Sequence, residues 1–307
     1  MKHALKITLI LLGMFFITQL IGLAVINAYT STTQTITHTN GTIENIQVEK
    51  QIPYGLDPPA DTTPETTLVS IVIAILLAVL IMFMLMRFKA EIFLRIWFFS
   101  VVALAIGISL NAVFMSWQHG ALIALAISVP LAYLKVYQRH MLVHNATELL
   151  VYPGIAVIFV PLLNIWTSVV LLVLISIYDM YAVWHAGFMQ KMAHYQIKQL
   201  KVFSGFFVPY LGAKQKAKIA NLSSKEKATK KIKVNLAILG GGDVVFPLIL
   251  AGVVLQHLGL FQALTISVGA TIALAALFWK SQKGKFYPAM PFISAGCLAA
   301  LALVYVL

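Results

Sequence analysis

The stretch AILGGGDVVFPLIL, residues 237–250, decides how the chain is read. It lies in an apolar run long enough to cross a bilayer, yet it holds three successive glycines, an aspartate and a proline. An ionisable side chain at the centre of a spanning helix costs roughly 2.5 to 3.5 kcal/mol on insertion scales, so a carboxylate there needs a chemical reason. The remainder of the chain supplies the setting. Its 307 residues are 60% hydrophobic and 10% charged, with a mean hydropathy of +0.90. That is more apolar surface than a water-soluble core needs, and it marks an integral membrane protein.

About 20 apolar residues cross the hydrocarbon, and by that measure nine helices are expected. They fall at roughly 5–28, 68–87, 94–114, 119–136, 148–163, 166–187, 233–256, 259–279 and 287–306. The first is read as an anchor, because its apolar run is too long for a signal-peptide core. Pro153, Gly154 and Pro161 interrupt the fifth. Loop charge tests the count, since Lys and Arg accumulate on the cytoplasmic side. Basic loops contain Arg87, Lys89 and Arg95; Lys135 and Arg139; a Lys-rich stretch from Lys191 to Lys233; and Lys280, Lys283 and Lys285. Lys50 is the one basic residue of the alternate loops, among Glu44, Glu49, Asp57, Asp61 and Glu65. This fits an all-α polytopic protein with a cytoplasmic N-terminus and an extracytoplasmic C-terminus. It divides into a six-helix part over 1–187 with an outer loop at about 30–67, a basic cytoplasmic loop over 188–232 and a three-helix part over 233–307.

The net charge of +12 is spread between apolar segments rather than gathered in one patch interleaved with aromatics, which argues against nucleic acid. The lysines of 188–232 read as a solvated run or as a holder of anionic lipid head groups. A single cysteine, Cys297, excludes an intrachain disulfide and a thiolate metal cluster, and it reads as a small buried side chain. His140, His144, His185 and His194 have no metal-ligand spacing, and neither metal nor cofactor is expected. Trp97, Trp117, Trp166, Trp184 and Trp279 fall near helix ends, where interface anchoring accounts for them.

Sorting the ten acids isolates two. Glu148 opens a helix in this reading, seven others lie in loops or at helix ends, and only Asp179 and Asp243 lie deep in apolar segments. Counted along the sixth and seventh segments at about 1.5 Å per residue, both sit on the order of 12 to 15 Å from the cytoplasmic edge on antiparallel neighbours. They can therefore meet. Gly240, Gly241 and Gly242 keep side chains out of the way of another helix or an extended peptide. Pro247, four residues after Asp243, has no N–H for the Asp243 carbonyl and loosens the helix there. Two carboxyls within a few ångströms in low dielectric share a proton, so one acts as base and the other as acid. Such a pair can activate a water against a peptide carbonyl without metal or covalent intermediate.

Three motifs carry a family resemblance: Tyr178-Asp179 in the sixth segment, Gly240-Gly241-Gly242-Asp243 in the seventh and Pro288-Ala289-Met290 at the start of the ninth. They resemble the YD, GxGD and PAL motifs of the presenilin and signal peptide peptidase family of intramembrane aspartyl proteases, with Met290 in place of the usual Leu. The resemblance implies that Asp179 and Asp243 are catalytic, that Tyr178, Gly240 to Gly242 and Pro247 support them, and that Pro288, Ala289 and Met290 position substrate. Transmembrane helices are the implied substrates. The chain is most similar to prokaryotic, especially archaeal, presenilin homologues, which implies a cell-membrane location with the site open to the cytoplasm; no oligomeric state follows. Competing readings are a prepilin-type GxGD peptidase, a proton-coupled transporter using the acids as a relay, and an inactive scaffold of the same fold.

Overall fold

A computed structural model describes residues 5–30, 32–37, 43–48, 50–57, 63–88, 90–138, 140–186, 204–210, 235–281 and 287–306. Nine α-helices of 14 residues or more occur among them: α1 Leu5–Tyr29, α2 Pro64–Arg87, α3 Glu91–Phe114, α4 Gly120–Tyr133, α5 Met141–Phe159, α6 Ile165–Tyr181, α7 Gly241–Leu258, α8 Leu260–Lys280 and α9 Met290–Val306. Eight of the nine, α4 and α6 taken with the π turns that follow them, are long and apolar enough to cross a membrane; α9, with 17 residues, is apolar and shorter than these spans. Strands β1 (Thr32–Thr37) and β2 (Ile43–Val48) pair antiparallel after α1, and β3 (Gly205–Tyr210) pairs antiparallel with β4 (Asn235–Gly240) just before α7.

Helix α7 forms the axis of the bundle. It packs against α1, α5, α6, α8 and α9, and Pro247 to Leu255 are buried without a break. A helix apolar all round has no solvent face to offer, so its neighbours enclose it. At the periphery the pattern reverses: Leu80 on α2, Ile92 on α3 and Phe261 on α8 are 64%, 76% and 75% exposed, surface that only lipid tolerates on this scale. The five tryptophans noted above are all exposed. Cys297 is fully buried in α9.

Local chemistry explains several boundaries. Pro161 sits in a 3-10 turn, Val160–Leu162, that ends α5. Asn164 then caps α6: its Oδ1 accepts from the Thr167 N–H at 2.8 Å while the Thr167 hydroxyl accepts from the Asn164 N–H at 2.9 Å. Pro153 does not stop α5, which runs through it. Helices α4 and α6 both finish in a π turn, Leu134–Gln138 and Ala182–Ala186.

Three expectations need correction. The segment expected as a helix from 233 is β4 up to Gly240, and the helix starts at Gly241. Along β4, Leu236 and Ile238 are exposed while Ala237 and Leu239 are buried, the period of two that a short apolar run conceals. Helix α5 starts at Met141, so Glu148 and His144 are buried inside it rather than at its mouth or in a loop. Lys135, counted as a loop charge, has a side chain only 1% exposed. The lysines of the basic stretch from Lys191 to Lys233 lie outside the described residues, as does His194, while 204–210 within that stretch include β3.

Helices α8 and α9 meet through Gly269 and Gly296. A methyl group on Gly296 would lie 2.5 Å from the Gly269 carbonyl oxygen, and one on Gly269 would lie 2.7 Å from that of Gly296. Backbone contact of this kind admits no side chain on either helix. Gly296→Val should therefore lower the stability of the protein in detergent by about 1–3 kcal/mol, read as a lowered unfolding midpoint; an unchanged midpoint would show that the two helices separate freely.

Candidate active site

Asp243 is the third residue of α7, and its position follows from the helix start. Gly240 is the N-cap, with extended backbone (φ −66°, ψ 147°). The first turn of a helix leaves N–H groups without intrahelical partners, and an acidic side chain at the third position reaches back to the N-cap N–H. Asp243 does this, with its carboxylate accepting from the Gly240 N–H. A methyl on Gly240 would stand 3.1 Å from Asp243 Oδ2, so glycine gives the carboxylate room to fold back. Asp243 is thus in the first turn of its helix, not ten residues into it as the sequence suggested. Pro247 is buried one turn further on. It leaves the Asp243 carbonyl without its usual helical donor.

Asp179 lies in the last turn of α6 and is 7% exposed. Met290, the first residue of α9, donates its N–H to Asp179 Oδ2 at 3.1 Å, with the Ala289 N–H beside it. The donors are again orphan N–H groups of a helix N-terminus, a natural seat for an anion. Ser176, one turn earlier on α6, donates to the Ser294 hydroxyl of α9 at 2.8 Å and ties the same two helices together. Asp179 and Asp243 are electrostatic neighbours across the α6–α7 contact. All three motifs therefore converge: Pro288 and Met290 are buried, Ala289 and Tyr178 are half-buried, and Gly242 is exposed beside Asp243.

Sequence reasoning missed what stands behind Asp243. Gln19 of α1 is fully buried and donates through Nε2 to the Val244 carbonyl at 3.0 Å. Tyr152 of α5, 1% exposed, lies against Gly241: a methyl there would be 3.0 Å from the Tyr152 hydroxyl and 2.9 Å from Ser204 Oγ. Glu148, one turn before Tyr152, is paired with Lys135 at 2.7 Å. Its signal was an acid inside a segment whose start was read seven residues late.

Comparison with known proteins gives the site its context. Residues 50–307 match the family described as signal-peptide peptidase, presenilin aspartyl protease. The chain belongs to that family. It is thereby an aspartic endopeptidase of the intramembrane-cleaving kind. Among solved structures, a presenilin family intramembrane aspartate protease in space group C222 aligns with a TM-score of 0.61 at 17% identity, covering 97% of this chain and 98% of the other. The same description in space group P2 aligns with a TM-score of 0.59 at 18% identity, covering 98% and 97%. At such identity the likeness is one of fold. No curated protein matches the chain.

The Gly241 contact generates a stability test within the presenilin-family chain. Gly241→Val and Tyr152→Ala should each lower the unfolding midpoint, and the loss in the double variant should be smaller than the sum of the two, because removing the ring removes the obstacle to the valine. Additive losses in the double variant would show that the two residues do not press on one another.

Proposed function

We propose that Asp179 and Asp243 are the catalytic pair, and that the protein hydrolyses peptide bonds within transmembrane segments of membrane proteins or signal-peptide remnants. The observation that supports this best is two carboxylates brought together at the α6–α7 contact, each seated on the N–H groups of a helix N-terminus. One carboxylate takes a proton from a water, and the water oxygen bonds to the scissile carbonyl carbon. The other carboxyl protonates the carbonyl oxygen. The resulting gem-diol then collapses as the C–N bond breaks and a proton reaches the leaving nitrogen.

A helical substrate hides its carbonyls in backbone hydrogen bonds, so cleavage needs a locally extended segment. Strand β4 offers a template. One of its edges pairs with β3, and its last residue, Gly240, is followed three residues later by Asp243. An extended peptide added along the other edge would be led to the carboxylates by main-chain hydrogen bonds. Tyr178 and Met290 would flank it, Pro288 and Ala289 would hold the start of α9 in place, and the open surface at Gly242 would let it approach.

In this reading all nine segments cross the bilayer, including α9, whose 17 residues span about 26 Å. The N-terminus is cytoplasmic, the C-terminus extracytoplasmic, and the site opens toward the cytoplasm of a prokaryotic cell. The six-helix part, the basic loop over 188–232 and the three-helix part form the domain plan, with the loop lysines near anionic head groups.

Asp179→Asn and Asp243→Asn should each reduce cleavage of a labelled transmembrane peptide by at least about a thousandfold while leaving the unfolding midpoint within a few degrees of the parent. Mass spectrometry of the fragments makes the measurement; full cleavage by either variant would remove the pair from the mechanism. Because one carboxyl must carry a proton and the other must not, the rate should pass through a maximum with pH, with limits that belong to the pair. A monotonic profile would contradict a shared proton.

A further inference from the structure

An antiparallel strand directs its N–H and C=O groups to alternate sides, so residues two apart share one edge. On β3 the edge away from β4 is that of Gly205, Phe207 and Pro209. Helix α5 supplies partners for all of the main-chain groups of the first two. The Gly205 N–H donates to Glu148 Oε1 at 3.1 Å, and the Gly205 carbonyl accepts from His144 Nε2 at 2.9 Å. The Phe207 N–H donates to Asn145 Oδ1 at 3.2 Å, and its carbonyl accepts from Asn145 Nδ2 at 2.9 Å. Pro209 has no N–H to offer. Asn145 thus presents one acceptor and one donor to a single residue, as a paired strand would.

The acceptor for Gly205 is itself anchored. Glu148 Oε1 lies 2.7 Å from Lys135 Nζ and 3.4 Å from His144 Nε2, and neither Lys135 nor Glu148 reaches solvent. Lys135 reaches inward from the π turn that ends α4, where the helix winding widens. The strand so held pairs Gly205 with Gly240, its partner in register. Gly240 is the N-cap whose N–H holds Asp243. One chain of contacts therefore runs from α4 through α5, β3 and Gly240 to the carboxylate.

We propose that Lys135, His144, Asn145 and Glu148 form a clamp that takes the place of a third strand along β3 and sets the position at which Gly240 presents Asp243. They are positioning residues, since none touches the reacting atoms, and the proposal rests on the two-aspartate reading above. The clamp also assigns the roles of the two edges: α5 occupies that of β3, which leaves the edge of β4 to substrate.

Three variants test it in purified full-length protein: Asn145→Ala, Glu148→Gln and the double K135M/E148Q. Asn145→Ala releases Phe207 without leaving a buried charge. Its unfolding midpoint should stay near that of the parent, while the β3 amides exchange with deuterium about tenfold faster. Its kcat on a labelled transmembrane peptide should fall about 10- to 100-fold with little change in KM, and its cleavage positions should spread along the peptide. Glu148→Gln keeps an acceptor for Gly205 but strands the Lys135 charge, and should be slower than the parent; K135M/E148Q keeps the acceptor and removes both charges, and should regain kcat to within about threefold. A purely structural role would lower the unfolding midpoint and leave kcat and the cleavage positions of the folded fraction unchanged. Asn145→Ala with parental kcat and fragments, or with parental amide exchange, overturns the clamp, as does a double variant no faster than Glu148→Gln. Parent and Asp243→Asn run alongside. Should the parent cut no peptide, the protease reading fails, and amide exchange alone then decides whether α5 holds the strand pair.

Discussion

A carboxylate set among apolar helices gives up most of its solvation, and fixed donors pointing at it have to make up the loss. Both aspartates meet this condition in the same way. Asp243 accepts the Gly240 N–H at the start of its own helix, and Asp179 accepts the Met290 N–H at the start of α9. Helix starts are the places in a bundle where main-chain donors are left over. Placing two of them at one point lets two acids face each other across the α6–α7 contact. The three motifs are separated by up to 111 residues because each supplies a different part of that arrangement: one acid, the other acid with its cap, and the donors for the first.

The remainder of the bundle holds those helix starts in register. Helix α7 is enclosed on every side, which fixes its axis, and Gln19 grips the Val244 carbonyl just after the aspartate. Helix α9 is drawn against α8 by the Gly269–Gly296 contact and joined to α6 through Ser176 and Ser294. The short sheet beside α7 is unusual inside such a bundle, since strand edges in lipid carry main-chain groups that must find partners. Side chains of α5 meet that demand along β3. Breaking a buried ion pair such as Lys135–Glu148 leaves an uncompensated charge, at a cost of about 3–5 kcal/mol, so the pair is retained only as a unit.

Much of this was legible in the amino-acid sequence. Apolar length located the helices, and the rarity of acids inside apolar segments drew attention to Asp179 and Asp243. The motif at Pro288 to Met290 was visible, but its physical part was not: its N–H groups act through the main chain, which no side-chain pattern records. The strand before Asp243 was missed because a short apolar run such as Leu236 to Leu239 reads alike as helix or strand until burial shows the alternation. Glu148 was set aside as a helix-opening acid because the polar start of α5, with His144, Asn145 and Thr147, resembled a loop.

What the sequence determined by itself was the solvent and the candidates. Composition assigns the chain to lipid, and two carboxylates in apolar segments announce chemistry, because both follow from transfer energies summed along a line. Only the tertiary structure decided that Asp243 lies in a first turn, that α9 supplies the donors for Asp179, and that Lys135 and Glu148 form a pair. Those facts depend on groups far apart in the chain meeting within hydrogen-bond distance, which packing of the whole bundle sets and no local pattern encodes.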